Sequence, residues 1–193
     1  MLHTQITQGA PFDIFLSADE IRPVSLESRL KTISFIYARG RLVFWHNNAA
    51  TVNEESFTNY NGKIAIANPK LAPYGYAAKE FLTKYKPSLL KANRLIRGNN
   101  VNQSYQFIRS RNVNAGFVSL TQMILGNHAN YWLIPPDRYP PIIQRGILIN
   151  SQEPNATEFA NFLLSDNAQA IIRKSGYDRS EPNNDDSKLE ISD

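Results

Sequence analysis

The stretch IANPKLAPYGYAAKEF, residues 66–81, decides how the rest of this chain reads. It leaves an apolar, strand-like run (KIAIA, 63–67), turns through Ala72-Pro73-Tyr74-Gly75, and enters a run in which Ala77, Ala78, Phe81, Leu82 and Tyr85 share one helical face. Lys86-Pro87 stops that helix. The same unit recurs in RLIRGNNVNQSYQF, residues 94–107, as strand RLI, turn Gly98-Asn99-Asn100, and a helix with Val101, Tyr105 and Ile108 at i, i+4 and i+7. Asn99 or Asn100 is available there as N-cap. Strand, small-residue turn and helix, used twice in succession, predict an α/β protein with a largely parallel sheet.

Working outward, further strand-like runs are DIFL (13–16), RLVFW (41–45), AGFVS (115–119), YWLI (131–134) and RGILIN (145–150). Near the end, NATEFANFLL and DNAQAIIRKSG predict a helix pair, with Ser165 or Asp166 capping the second helix and Gly176 terminating it. Polar breaks at 46–62 and 135–141 flank a self-contained βαβαβ unit. That pattern predicts one domain inserted into another: a first lobe of 1–45 plus 141–177 and a second of 46–140, joined by RLVFW and RGILIN in the manner of a hinged clamp. Residues 178–193 read as a disordered acidic tail.

Composition narrows the function classes. A chain of 193 residues with 42% hydrophobic content can bury a core, and no apolar run reaches the roughly 20 residues that a membrane span needs. MLHTQITQGAP has neither the basic start nor the apolar stretch of a secretory signal. The absence of Cys excludes disulfides, thiolate metal sites and a Cys nucleophile. The net charge of +4 hides a tail with six acids and two bases, which leaves a body of 19 basic and 11 acidic residues. Such a body suits an anionic partner, whether a small oxyanion, nucleic acid or a membrane surface. No GxSxG, GxxxxGK[ST], GxGxxG or HExxH occurs, and His3, His46 and His128 lack paired ligand spacing, so neither an enzyme nor a metal site is expected. The two strand-turn-helix units offer something else. Helix N-termini carry unsatisfied N–H groups and the positive end of the macrodipole, and two of them converging can hold a tetrahedral dianion without a charged side chain. Every α/β fold has such turns, so this alone does not choose a ligand.

GAPFDIFLSADEIRP (9–23), GRLVFW (40–45), IANPKLAPYGYAAKEFL (66–82), NNVNQSYQFIRSRNVNAGFVSLTQ (99–122) and FANFLLSDNAQAIIRKSGY (159–177) resemble, in order, successive blocks of the periplasmic molybdate/tungstate-binding family of ABC importers. They cover nearly everything from residue 5 to 177. The resemblance implies a two-lobed, type II periplasmic-binding-protein clamp, each lobe a mainly parallel sheet flanked by helices, with the first lobe incomplete at its N-terminus. It implies a periplasmic monomer that captures molybdate or tungstate with neutral donors and delivers it to a membrane permease, with no other cofactor, no metal beyond the oxyanion and no nucleic acid. By position, the backbone N–H groups at Tyr74 and Val101 match ligand-binding positions. Ser119 stands where some members place a Tyr hydroxyl donor, a departure that leaves this contact open. Ser17, Asp19, Pro73, Gly75 and Asn100 fall at cleft-shaping positions. Two further Ser donors of the family precede the segment matching Met1, and each lost donor weakens binding by roughly ten- to a hundredfold, so weak binding or an unstable chain is expected. The alternatives are a ligand-sensing regulatory domain of the same fold, a non-binding remnant, or a nucleic-acid module using Arg94, Arg97, Arg109 and Arg111 near Tyr105 and Phe107.

Overall fold

The computed structural model describes residues 2–91 and 93–179, so the expected tail falls outside the described residues from residue 180 onward. The chain forms two compact units. One holds residues 2–39, 143–174 and 178–179; the other is Gly40–Ile142 with the short return Ser175–Tyr177.

The first unit contains α1 (Leu2–Thr7), β1 (Ile14–Ser17), α2 (Ile21–Leu30) and β2 (Ser34–Gly40). After the second unit, whose elements are β3 to β7 and α3 to α6, the chain returns with β8 (Ile142–Leu148), α7 (Pro154–Leu164), α8 (Asp166–Lys174) and β9 (Tyr177–Asp178). The sheet order is β1-β8-β2-β9, and β1 runs antiparallel to β8 with Phe15 opposite Ile147 and Ile14 opposite Leu148. Because side chains alternate along a strand, these two pairs point to opposite faces. Phe15 and Ile147 pack with Ile6 and Leu26 from α1 and α2, while Leu148 packs with Phe35, Ala156 and Ala160, the last two from α7. Each face therefore has its own apolar layer. A charged group ties the strands to α2: Arg145 Nη1 donates to Ser34 Oγ (2.9 Å), Nη2 to Glu20 Oε1 (3.2 Å), and Glu27 accepts from the Ser34 N–H (3.0 Å).

The second unit runs β3 (Leu42–His46), α3 (Glu54–Asn59), β4 (Ile64–Ala67), α4 (Pro73–Tyr85), β5 (Leu95–Gly98), α5 (Val101–Arg109), β6 (Ala115–Ser119), α6 (Leu120–Leu125) and β7 (Trp132–Leu133). Its sheet has the order β5-β4-β6-β3-β7. β4 is parallel to both β5 and β6, whereas β3 is antiparallel to β6 and β7, so the sheet is mixed and its parallel part is the β5-β4-β6 trio. Alternation again sorts the core. Phe44, Ile64, Ile66 and Phe117 face α4 and α3, meeting Ala77, Ala78, Phe81, Leu82 and Phe57; Val43, Trp45, Ala65 and Val118 face Tyr105 and Ile108 of α5 and Met123 of α6. Phe117 sits at the middle of the aromatic cluster, with ring centroids 5.6 Å from Phe44 and 5.7 Å from Phe81. Burying a side chain of that size contributes about 2–3 kcal/mol.

Several elements differ from the sequence reading, each for a physical reason. Residues 46–62 read as loop, yet hold α3, nucleated by a capping box between Asn53 and Ser56 and burying Phe57 alone. α2 shows no clean apolar stripe, because Pro23 and Leu26 are buried while Ile21 is 81% exposed. YWLI shrinks to a two-residue strand, and the RGILIN strand starts earlier, at Ile142.

Candidate functional site

β5, β4 and β6 run the same way, so the helices that follow them all start at one edge of the sheet. In open α/β sheets this carboxyl edge is where ligands bind. The register puts Ala67 of β4 opposite Gly98 of β5, and the Asn68 N–H donates to the Gly98 carbonyl (2.6 Å), so the turns leading to α4 and α5 begin side by side.

At α4, Pro73 occupies the first helical position, where its missing N–H costs nothing. The N–H groups of Gly75 and Tyr76 both donate to the Ala72 carbonyl (2.9 and 3.0 Å). That leaves Tyr74 as the first-turn residue whose N–H has no partner among the described residues. Gly75 is required by packing: a Cβ there would drive into the Ala67 backbone carbonyl, so only glycine lets α4 start this close to β4. Asn68 shapes the turn before it, its Oδ1 accepting from the Lys70 N–H (3.0 Å) and its carbonyl from Leu71 and Ala72.

At α5, Asn100 is the N-cap, extended at φ −147° and ψ 173°, with Oδ1 accepting from the Gln103 N–H (2.9 Å). The Asn99 N–H donates to Gln103 Oε1 (2.6 Å). The N–H groups of Val101 and Asn102 have no partner among the described residues. Neither α4 nor α5 carries an acidic residue in its first turn, whereas α3 has Glu54 and Glu55 there. The positive ends of α4 and α5 are thus left uncompensated.

α6 behaves differently. Ser119 is its N-cap, 5% exposed, with Oγ accepting from the Gln122 N–H (3.3 Å) and Gln122 Oε1 accepting in return from the Ser119 N–H (3.1 Å). The Leu120 N–H donates to the Arg41 carbonyl (3.0 Å), and Gly176, at φ +92°, lies so close that a Cβ on it would come within 2.9 Å of the Thr121 nitrogen. The phenol of Tyr74 reaches the same region, its oxygen lying against Gly40. Burial pushes that phenol far above its ordinary range, with Tyr177 and Tyr139 adding to the effect against the opposing pull of Ser119 and Arg41, so it stays neutral.

The structure therefore brings Tyr74, Val101 and Ser119 to one edge, together with Pro73, Gly75 and Asn100. Ser17 and Asp19 belong to the other unit, where Ser17 Oγ accepts from the Asp19 N–H (3.3 Å) and Asp19 Oδ1 from the Arg22 N–H (2.9 Å) at the start of α2. Gln122 escaped the sequence reading, although the run Ser119-Leu120-Thr121-Gln122 is a capping-box pattern and was a usable signal. On the flank of α5 lies an open hollow of about 470 Å³ lined by Asn102, Tyr105, Arg109, Gln122, Leu125, Gly126 and His128. Tyr105 is stacked on Trp45 (5.4 Å) and hydrogen-bonded to His128 (3.0 Å), so it is not available to stack on a nucleobase. Among the described residues no cluster of metal-ligating side chains occurs, and no helix is long and apolar enough to cross a membrane.

An α/β unit whose parallel strands open into helix starts with unused N–H groups and no acid in the first turn presents donors of the kind that anions accept from. The family of bacterial extracellular solute-binding proteins matches residues 2–178, and the chain belongs to it. Among curated relatives, the molybdate-binding protein ModA of Rhodobacter capsulatus is 37% identical over 182 residues, covering 91% of this chain and 72% of that protein. ModA of Azotobacter vinelandii is 33% identical over 186 residues, covering 91% and 74%. The solved structure of the Azotobacter vinelandii periplasmic molybdate-binding protein superposes with a TM-score of 0.80 at 32% identity, over 93% of this chain and 84% of that one. The expected α/β binding-protein fold is borne out by that match.

Proposed function

We propose that this chain is the substrate-binding component of a molybdate/tungstate ABC importer, capturing the tetrahedral oxyanion with neutral donors and handing it to a membrane permease. The observation that carries the reading is the pair of adjacent helix starts, α4 and α5, each with a free amide, at Tyr74 and Val101, and neither with an acid in its first turn. The relatives named above are molybdate-binding proteins, which supports this choice of anion. In this reading the protein is a periplasmic monomer that transports rather than catalyses, and it needs no cofactor beyond its ligand. Selectivity against sulfate is then a matter of size, since all three anions are tetrahedral dianions with similar acceptors. Tyr74 and Val101 are the direct donors; Ser119 stands behind them, and Pro73, Gly75 and Asn100 shape the two turns.

Thermal denaturation of the 193-residue chain with molybdate, tungstate, sulfate and phosphate tests this. Molybdate and tungstate should raise the midpoint progressively with concentration, reaching about 2.7 kcal/mol of stabilisation at a hundred times Kd, with smaller effects from sulfate and phosphate. Binding through backbone dipoles should also change little with added salt, unlike nucleic-acid binding. No shift with any of the four anions would overturn the proposal.

A further inference from the structure

The residues that carry the two free amides are joined by a run of packed and hydrogen-bonded neighbours. The Tyr74 phenol ends against Gly40, where a Cβ would collide with the phenol oxygen, and the next residue, Arg41, accepts from the Leu120 N–H beside Ser119 (3.0 Å). Ser119 and Gln122 exchange two hydrogen bonds, Gln122 N–H to Ser119 Oγ (3.3 Å) and Ser119 N–H to Gln122 Oε1 (3.1 Å). The other end of the same carboxamide leaves its helix altogether: Gln122 Nε2 donates to the Val101 carbonyl (3.3 Å).

That last bond is more than capping requires. A capping box uses only the acceptor oxygen of its third residue, and glutamate serves as well as glutamine. A donor reaching a carbonyl on another helix is something only the amide supplies. The need for it follows from topology. β5 is the edge strand of its sheet, so the start of α5 is held on one side only, by β4. α4 starts between α5 and α6 in the strand order, and Gln122 reaches from α6 to α5, past the strand that feeds α4.

We propose that Gln122 is the positioning residue of the oxyanion site, holding the Tyr74 and Val101 amides at a fixed separation through Ser119 and so setting the size of the tetrahedral anion accepted. This rests on the anion-capture reading above. Gln122 does not touch the anion; it acts through the two residues that do.

The test uses the full chain and two variants, Gln122→Glu and Gln122→Met. The glutamate keeps the capping oxygen and loses the donor to Val101; the methionine loses both. Amide resonances are recorded by NMR without ligand, and molybdate and sulfate affinities by calorimetry. In Gln122→Glu the midpoint of thermal denaturation should fall by no more than the worth of the one hydrogen bond lost to Val101, while the Val101 and Tyr74 amide resonances shift and the molybdate-over-sulfate affinity ratio falls by about tenfold. The added charge weakens both dianions together, which is why the ratio is read. Gln122→Met should lose the ratio equally and also lower the midpoint. A merely structural cap would leave the glutamate variant's ratio and its two amides unmoved, and either result overturns the positioning role. A wild-type chain that takes up neither anion refutes the anion reading itself and the size-setting role with it, an outcome distinct from unmoved amides.

Discussion

α5 and α6 leave parallel strands at one edge of the same sheet, each begins with a capped, extended residue, and neither has an acid in its first turn. By dipole alone they are equivalent. Their hydrogen bonds separate them. α6 gives the Leu120 N–H to Arg41, places Thr121 under Gly176 and returns the Gln122 N–H to its own cap, while α5 leaves the N–H groups of Val101 and Asn102 unused. Under the anion-capture proposal, a helix start serves as an anion site when its donors are left over, and as a structural joint when they are bonded or covered. α4 belongs with α5, through the unpartnered N–H of Tyr74.

Gly75→Ala should have the largest effect, because it erases the first kind of start altogether. The new Cβ meets the Ala67 carbonyl, so α4 must move off β4, costing about 3 kcal/mol of overpacking as well as the placement of the Tyr74 amide. Denaturant titration together with calorimetry checks both losses. Leu120→Pro comes next and bears on the second kind. Ser119 is extended at φ −89° and ψ 150°, so proline can follow it at the first position of α6, but the bond to Arg41 is lost. A cost of about 1–3 kcal/mol in unfolding free energy is expected. Oxyanion affinity should stay within about threefold, and a much larger loss would show that α6 is a donor after all.

The smallest effect separates site from scaffold by pH. Burial holds the imidazoles of His46 and His128 below the ordinary 6.5, with Arg109 adding to the effect at His128. The unfolded chain therefore takes up protons before the folded one does. Stability is fully present above 6.5 and declines as pH falls from there toward the lowered folded values. Backbone amides do not titrate, so binding should stay flat across that window. The two should part company in a pH series of midpoints and affinities, and His128→Gln should flatten the stability curve.

Much of the second unit was legible from residues 63–119, because its strands are short apolar runs and α4 and α5 have clear buried faces. Tyr74 and Val101 were legible as positions, since strand, turn and helix start follow one another directly in the chain. Whether their donors are free was not, because that depends on partners distant in sequence, such as Arg41 for Leu120 and Ser175–Tyr177 beside α6. Ser119 illustrates the same limit. Its residue type allows a ligand or a cap, and only the position of Gln122 shows how its hydroxyl is used. α3 and α6 were hidden for a simpler reason: each is six residues long and buries one large side chain, Phe57 or Met123, too little for a periodic signal.

The amide of Val101 can be deleted almost alone. Val101 is the first residue of α5, where proline is favoured, and Asn100 before it is already extended, so Val101→Pro removes the donor while the helix keeps its start. Calorimetry of this variant with molybdate should show binding weakened by roughly ten- to a hundredfold, the worth of a hydrogen bond to a charged ligand, with a thermal midpoint close to that of the unaltered chain. An unchanged molybdate affinity in the folded variant would contradict the assignment of the helix starts as the anion site.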